Sequence, residues 1–257
     1  MTEFDYDKYR GIADELHWNE FVQEADGELV APLIKRQGVK NADYLFRKEQ
    51  VIAELKVLET EFGHTPQNLE KIAQLVAGNP GIDPLDPAQS LHRQILMLLK
   101  GPLQRIVNRA NRQIKETKAE LGLIGWSGML IVVNDNFRGA RPGLVQGMFS
   151  HILAGTSYSS IDCFLYQTNH YVEVAEVPQA CLLWAPLYAE KARPGLENFV
   201  NALGREWRRY YAKIEGEPDF SGELESIDMS RTHVVDGPNR RERYVVRKKV
   251  DPGSDPG

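Results

Sequence analysis

Apolar and polar positions alternate in two short runs in the first quarter of the chain. The runs cover residues 42–46 and 51–58, and both are rich in aromatic and branched apolar side chains. Such residues favour strands, while the polar residues 47–50 between them favour a turn. The pattern therefore predicts a β-hairpin. The two-residue period of a strand puts Glu54 and Lys56 on one face of the second run and Leu55 on the other.

Apolar spacings of three and four predict helices on both sides of this hairpin. The predicted helices cover 18–35, 66–77, 90–100, 103–121, 142–154 and 195–214, with a break at Gly101-Pro102. Continuous apolar runs at 128–134 and 161–166 predict buried strands, and 171–177 and 181–184 add shorter strand-like pieces. The order of elements predicts an α/β fold with a mixed central sheet flanked by helices and a C-terminal helical extension.

Length and composition are those of a globular protein. The chain has 257 residues, of which 42% are hydrophobic and 26% charged. We expect an N-terminal arm over 1–17, one domain over 18–215, and a polar, basic and partly disordered segment over 216–257. The sequence shows no membrane-length apolar run and no signal-peptide pattern, which predicts a cytoplasmic protein. Cys163 and Cys181 lie in apolar runs and are expected to be buried, reduced thiols.

Charge is unevenly distributed along the chain. The net charge of −5 argues against an indiscriminate polyanion binder, but residues 93–118 hold seven basic residues against one acid. The segment 231–249 is also basic. A face with segregated positive charge can bind a phosphate backbone, so we expect Arg105, Arg109 and Arg112 on the long helix to contact substrate. A solvated basic face is the alternative interpretation of the same pattern.

Three side chains of the predicted hairpin suggest metal chemistry. If the two strands are neighbours, Asp43 at the start of the first can reach the face that carries Glu54 and Lys56. Mg²⁺ binds one or two carboxylates together with waters and phosphate oxygens, and a nearby lysine can orient the attacking water. The alternative is an edge strand whose solvent face carries an unrelated glutamate and lysine.

At these residues the sequence resembles the PD-(D/E)XK nuclease superfamily, also called restriction-endonuclease-like, whose signature is an Asp on one strand and Glu-X-Lys on the next. Asp43 and Glu54-Leu55-Lys56 match that signature, and Ala42 replaces the proline that usually precedes the Asp. The resemblance implies that Asp43 and Glu54 bind Mg²⁺ or Mn²⁺, that the Leu55 carbonyl completes the site, and that Lys56 positions the nucleophilic water. It covers about residues 18–166.

The resemblance also implies contributions from two helices. A helix before the first strands supplies an acid to the metal site in that family; Glu28 is the best positional candidate, and the pattern does not separate it from Glu24 or Glu20. The helix after the Glu-X-Lys strand often turns a glutamine or basic residue toward substrate, which Gln113 and Lys115 would suit.

Two functional hypotheses follow. The first is a metal-dependent nuclease that hydrolyses phosphodiester bonds, with DNA as the expected substrate, although the sequence does not distinguish DNA from RNA. The second is a non-catalytic nucleic-acid-binding or assembly module on the same fold. Both are compatible with a homodimer. The sequence contains no Walker loop, dinucleotide glycine pattern, zinc spacing or Gly-X-Ser-X-Gly elbow, so the competing enzyme classes have no motif.

Overall fold

The predicted hairpin forms the centre of a mixed sheet. A computed structural model describes residue 12 and residues 15–59, 65–82, 89–155, 157–175, 177, 180–215 and 227–235. Within these ranges the strands are β1 (Glu28–Leu29), β2 (Tyr44–Phe46), β3 (Val51–Leu58), β4 (Ser127–Asn134), β5 (Cys163–Thr168), β6 (Val172–Val174), β7 (Trp184–Tyr188) and β8 (Thr232–Val234). Six of them form one sheet in the order β1-β2-β3-β4-β5-β7, and β6 and β8 form a second sheet.

The three central strands are parallel and the outer ones antiparallel. β3, β4 and β5 run in the same direction, with Glu54 opposite Leu130 of β4. β1 and β2 pair antiparallel on one side, and β7 pairs antiparallel on the other. The predicted α/β class with a mixed central sheet is therefore confirmed. Because β3 lies inside the sheet, the alternative of a solvent-facing edge strand at Glu54 is wrong.

Helices cover both faces of the sheet. The helices are α1 (Glu15–Glu24), α2 (Pro66–Ala77), α3 (Ser90–Glu120), α4 (Pro142–Leu153) and α5 (Leu196–Glu215). One core packs α3 and α4 against the face that carries Ile52 and Leu130. The other packs α1 and α5 against the face that carries Ala53 and Leu55, with the rings of Trp18 and Trp207 stacked at 4.4 Å. No helix of the described ranges is long and apolar enough to cross a membrane.

The first helix is shorter than predicted. The apolar spacing suggested a helix over 18–35, but α1 begins at Glu15 and ends at Glu24. Asp26 takes a left-handed conformation (φ 58°), and the Gly27 N–H donates to Val22 O at 2.8 Å, which closes the helix as a Schellman-type cap. A Cβ on Gly27 would lie 2.5 Å from Val22 Cγ1, so only glycine fits there. The later apolar residues instead belong to β1 and a 3₁₀ turn.

The predicted break in the long helix is also wrong. α3 continues through Pro102 from Ser90 to Glu120. Proline inside a helix costs about 3 kcal/mol, because one backbone hydrogen bond is lost and the ring meets the preceding turn. Leu99 and Leu103 flank the proline and are buried in the core. Burying two leucine side chains contributes about 1.5–3 kcal/mol each, which offsets the local cost.

Part of the C-terminal segment that was predicted to be polar, basic and partly disordered is folded. Residues 227–235 return to the domain, and β8 pairs with β6 in a small second sheet. The Gly143 N–H at the start of α4 donates to Thr232 Oγ1 at 3.1 Å. Of the predicted terminal segments, residues 1–11, 13–14, 216–226 and 236–257 lie outside the described residues. Residues 15–17, assigned to the arm, form the first turn of α1.

Gly143 is the tightest point of this docking, and we expect Gly143→Ala to destabilise the protein. A Cβ at Gly143 would lie 1.8 Å from Met229 O, so the backbone of the docked segment would have to move. Overpacking of this kind typically costs about 1–3 kcal/mol in free energy of unfolding. Gly147→Ala is the matched control on the same helix: nothing lies within 4 Å of its Cβ position, and the change should stabilise by about 0.5–1 kcal/mol. Urea unfolding of both variants checks the contrast, and equal stabilities would contradict it.

Candidate metal-binding site

Asp43 lies where β2 separates from β3. β2 and β3 are in register from Phe46 to Tyr44, and the Asp43 N–H makes one further bond, to Ala53 O at 3.2 Å, which shifts the pairing by one residue as in a β-bulge. The side chain of Asp43 turns toward β3, where its Oδ2 accepts the Leu55 N–H at 2.8 Å. In an extended strand the N–H and C=O of one residue point to the same neighbour. The Leu55 carbonyl therefore faces the side on which Asp43 lies.

Glu54 and Lys56 share the face of β3 that packs under α3 and α4. Strand alternation puts them beside Ile52 and Leu58, which belong to that core. Glu54 is fully buried, whereas the Lys56 side chain keeps 26% of its surface exposed. Lys56 Nζ donates a hydrogen bond to Glu54 Oε1. The other carboxylate oxygen, Oε2, is buried and has no hydrogen-bond partner.

The electrostatics of the pair follow from its burial. The pKa of Glu54 is raised to about 8, mainly by burial and next by the neighbouring Asp43 charge, against the opposing effect of Lys56. Burial also raises the pKa of Asp43, although the Leu55 N–H and the Lys56 ammonium lower it. The two carboxyl groups lie close enough to share a hydrogen bond. Two buried carboxylates side by side repel when both are ionised, so the site favours a proton or a cation between them.

The donor set fits a hard divalent cation that keeps part of its water shell. Two carboxylates and the Leu55 carbonyl are oxygen ligands, and the unpartnered Glu54 Oε2 leaves one buried acceptor free for a cation. Mg²⁺ is usually bound through one or two carboxylates plus waters and substrate phosphates rather than by a full protein cage. Among the described residues, no group of three or more His, Cys, Asp or Glu side chains could hold a metal ion. The remaining ligands would have to be waters and phosphate.

The acids that were expected from the first helix point elsewhere. The carboxylate of Glu28 is bound by Arg47 at 2.5 and 3.0 Å. Glu24 pairs with Lys213 at 2.7 Å, and Glu20 accepts from the Tyr210 hydroxyl at 3.0 Å. The helical acid whose charge acts on Asp43 is Glu15, in the first turn of α1. Sequence reasoning missed Glu15 because the apolar period starts at Trp18, three residues after the true start of the helix.

The predicted substrate-binding residues on α3 divide into two groups. Arg105, Arg109, Arg112 and Lys115 are exposed, and Arg112 forms a 3.6 Å ion pair with Glu116 one turn later. Gln113 instead donates to Asn41 O at 2.8 Å and so contacts the chain that leads into Asp43. A contact between Gln113 and substrate stays a prediction.

Comparison with known proteins identified no relative of this chain. The chain has no significant match to a protein-family model, a curated protein or a solved structure. The resemblance to the PD-(D/E)XK superfamily thus depends on the hairpin residues and the order of elements alone.

We expect the stability of the metal-free protein to fall as pH rises from about 5 to 8. The folded state keeps a proton on Glu54 up to pH about 8, whereas the unfolded chain loses it near the ordinary value of 4.5. In this window the folded state binds more protons, so the free energy of unfolding decreases by at most about 1.4 kcal/mol per pH unit and then levels off.

Glu54→Gln, which stays neutral at every pH, should remove this component of the pH dependence. Urea unfolding at several pH values measures it, with Glu28→Gln at the Arg47 pair as the control for the same chemical change. An unchanged pH dependence in Glu54→Gln would show that Glu54 does not hold the proton.

Proposed function

We propose that the protein is a metal-dependent nuclease that hydrolyses phosphodiester bonds, with DNA as its expected substrate. The observation that carries this proposal is the pair formed by the partly buried Asp43 and the fully buried Glu54, where Lys56 donates to Glu54 Oε1 but not to Oε2. Burying an acid without a full set of partners is unfavourable, and a divalent cation at this point would offset that cost. The hairpin brings together two carboxylates and an ammonium, groups that metal-dependent phosphodiester hydrolysis can use.

Each residue would have a distinct task. Asp43, Glu54 and the Leu55 carbonyl would bind Mg²⁺ or Mn²⁺, with Glu15 close enough to influence Asp43 electrostatically. The cation supplies Lewis-acid stabilisation of the phosphate and a more acidic bound water. Lys56, on the same face and partly open to solvent, would orient the attacking water toward phosphorus. The division into metal ligands and a water-orienting ammonium explains why an acid and a lysine share one strand face.

The exposed basic residues of α3 support a nucleic-acid substrate. α3 packs against the site face of the sheet and presents Arg105, Arg109, Arg112 and Lys115 to solvent. These cations can neutralise backbone phosphates without reading sequence.

A cytoplasmic location and a homodimer remain predictions. Both cysteines are free thiols, Cys163 buried and Cys181 partly buried.

One observation favours a non-catalytic binding module as the second candidate. The contact between Lys56 and Glu54 already neutralises one carboxylate without a metal. A site that needs only this pair would bind nucleic acid through α3 and perform no chemistry. Metal binding separates the two candidates, because only the nuclease requires it.

We expect Lys56→Ala to keep metal affinity and lose turnover, and Asp43→Ala to lose both. Removing a group that positions or activates a water typically lowers kcat by about 10²-fold or more. Mn²⁺ binding is measured by calorimetry, and cleavage is measured on supercoiled plasmid, oligonucleotides and RNA with Mg²⁺, Mn²⁺ or EDTA. The cleavage assay on RNA decides whether the substrate is DNA or RNA.

Lys48→Ala, an exposed lysine in the hairpin turn, is the matched control and should leave both measurements unchanged. Thermal unfolding of each variant must show a folded protein. If wild type and Lys56→Ala cleave equally, or if wild type binds no Mn²⁺, the results favour the non-catalytic binding module.

Removing the exposed arginines of α3 should weaken nucleic-acid binding evenly across sequences. We choose Arg105→Ala with Arg109→Ala, because Arg112 pairs with Glu116 and its loss would disturb a second contact. Each lost phosphate contact should lower the log–log salt slope of binding by up to about one unit. The control is Arg205→Ala with Arg209→Ala on α5, which covers the opposite face of the sheet; Arg209 pairs with the exposed Glu206 at 2.6 Å, so this control also tests the loss of a surface ion pair. Fluorescence anisotropy over a salt series measures the slope; equal slopes in both double variants would mean that the α3 face is only solvated.

A further inference from the structure

α3 holds the stretch of chain that leads into Asp43. Four hydrogen bonds join successive turns of the helix to residues 36–42. They run from Arg36 N–H to Glu120 Oε1 (3.3 Å), from Lys40 N–H to Glu116 Oε2 (2.9 Å), from Ala42 N–H to Thr117 Oγ1 (2.8 Å) and from Gln113 Nε2 to Asn41 O (2.8 Å). Backbone groups that usually pair with a neighbouring strand are thus bound by helix side chains.

Thr117 makes the deepest of these contacts. Its side chain and Ala42 are both fully buried. A regular ladder would place Ala42 opposite Leu55, but the Asp43 N–H donates to Ala53 O at 3.2 Å and shifts the pairing by one residue. The Ala42 N–H instead donates to Thr117, and the Leu55 N–H donates to the Asp43 carboxylate.

The separation of the two strands is what opens the site. If Ala42 paired with Leu55, backbone groups would occupy both the Leu55 N–H that now orients Asp43 and the Leu55 carbonyl on the same side. Because Thr117 accepts the Ala42 N–H, the chain leaves β3 next to the bond from the Asp43 N–H to Ala53 O without leaving a buried donor unpaired. The Asp43 carboxylate can then turn over β3 toward Glu54.

We propose that Thr117 is a positioning residue of the metal site, acting through Ala42 to fix the Asp43 carboxylate and to keep the Leu55 carbonyl available as a ligand. This inference rests on the proposed metal-dependent function. Thr117 touches neither cation nor substrate in this role. Gln113 assists by binding Asn41 O, one residue before Ala42.

The test compares Thr117→Val, which keeps the branched shape but removes the acceptor, with Thr117→Ser, which keeps the hydroxyl. Loss of a group that orients a metal ligand typically weakens metal affinity or activity by about 10–100-fold. We expect Thr117→Val to weaken Mn²⁺ binding in calorimetry by that factor and to lower kcat, while KM for an oligonucleotide stays unchanged because α3 keeps its basic face. Thr117→Ser should restore both values.

Two further variants complete the test: Ile114→Val is the control for stability, and Gln113→Glu is a second perturbation of the same stretch of chain. Ile114→Val removes a methyl group from the part of α3 that lies against Gly128, and it should leave Mn²⁺ affinity unchanged. Gln113→Glu removes the donor to Asn41 with little change in shape and should weaken Mn²⁺ binding in the same direction as Thr117→Val. If Thr117→Val folds poorly, Mn²⁺ binding by Gln113→Glu tests the positioning role instead.

An additional measurement separates this inference from the proposed function. Amide hydrogen exchange at Leu55 reports its bond to Asp43 without any metal or substrate, and it should be faster in Thr117→Val and restored in Thr117→Ser. If wild type neither binds Mn²⁺ nor cleaves nucleic acid, the nuclease proposal fails whatever the exchange result. If wild type binds Mn²⁺ while Thr117→Val shows unchanged affinity and unchanged Leu55 protection, the positioning role is overturned and the nuclease proposal stands.

Discussion

The candidate site depends on two neighbouring carboxyl groups, one fully buried and the other partly buried. Glu54 has no exposed surface, and Asp43 lies beside it at the end of the pairing between β2 and β3. Desolvation and mutual repulsion both oppose ionisation there, and Lys56 compensates only in part. Such an arrangement is stable with a shared proton, and in the proposed function a cation between the carboxylates would replace that proton. Binding of the proposed cation would therefore release a proton.

The surrounding fold keeps the pair in this state. β3 is an interior strand, so Glu54 cannot turn to solvent without breaking the sheet. α3 covers the same face and also binds residues 36–42, which fixes the approach of the chain to Asp43. The outer face of this helix carries exposed arginines, so one rigid element links the predicted phosphate contacts to the carboxylates. A helix through Pro102 without a break is consistent with this double role, because its inner side is buried along the length that faces the sheet.

Much of the fold could be predicted from local patterns, since apolar period and turn residues act over a few positions. The hairpin, α2, β4, α4 and α5 all lie close to their predicted ranges. The failures have non-local causes. The end of α1 depends on Gly27 packing against Val22, which the spacing of apolar residues does not reveal. Glu15 and Gln113 acquired their neighbours through tertiary packing, so no motif could have distinguished Glu15 from the other acids or shown that Gln113 binds Asn41.

The same reasoning explains why a short motif is stronger evidence of function when its residues are buried. On a solvated strand, a glutamate two residues before a lysine forms a surface pair worth about 0–1 kcal/mol, and chance would account for it. At a fully buried position the glutamate is unfavourable unless something compensates for it, and replacing it by an apolar residue would often stabilise the fold. A glutamate retained there, with one oxygen unpartnered and an aspartate beside it, is difficult to explain by packing. Strained or unsatisfied polar groups of this kind concentrate at functional sites, where ligand binding supplies the missing interaction.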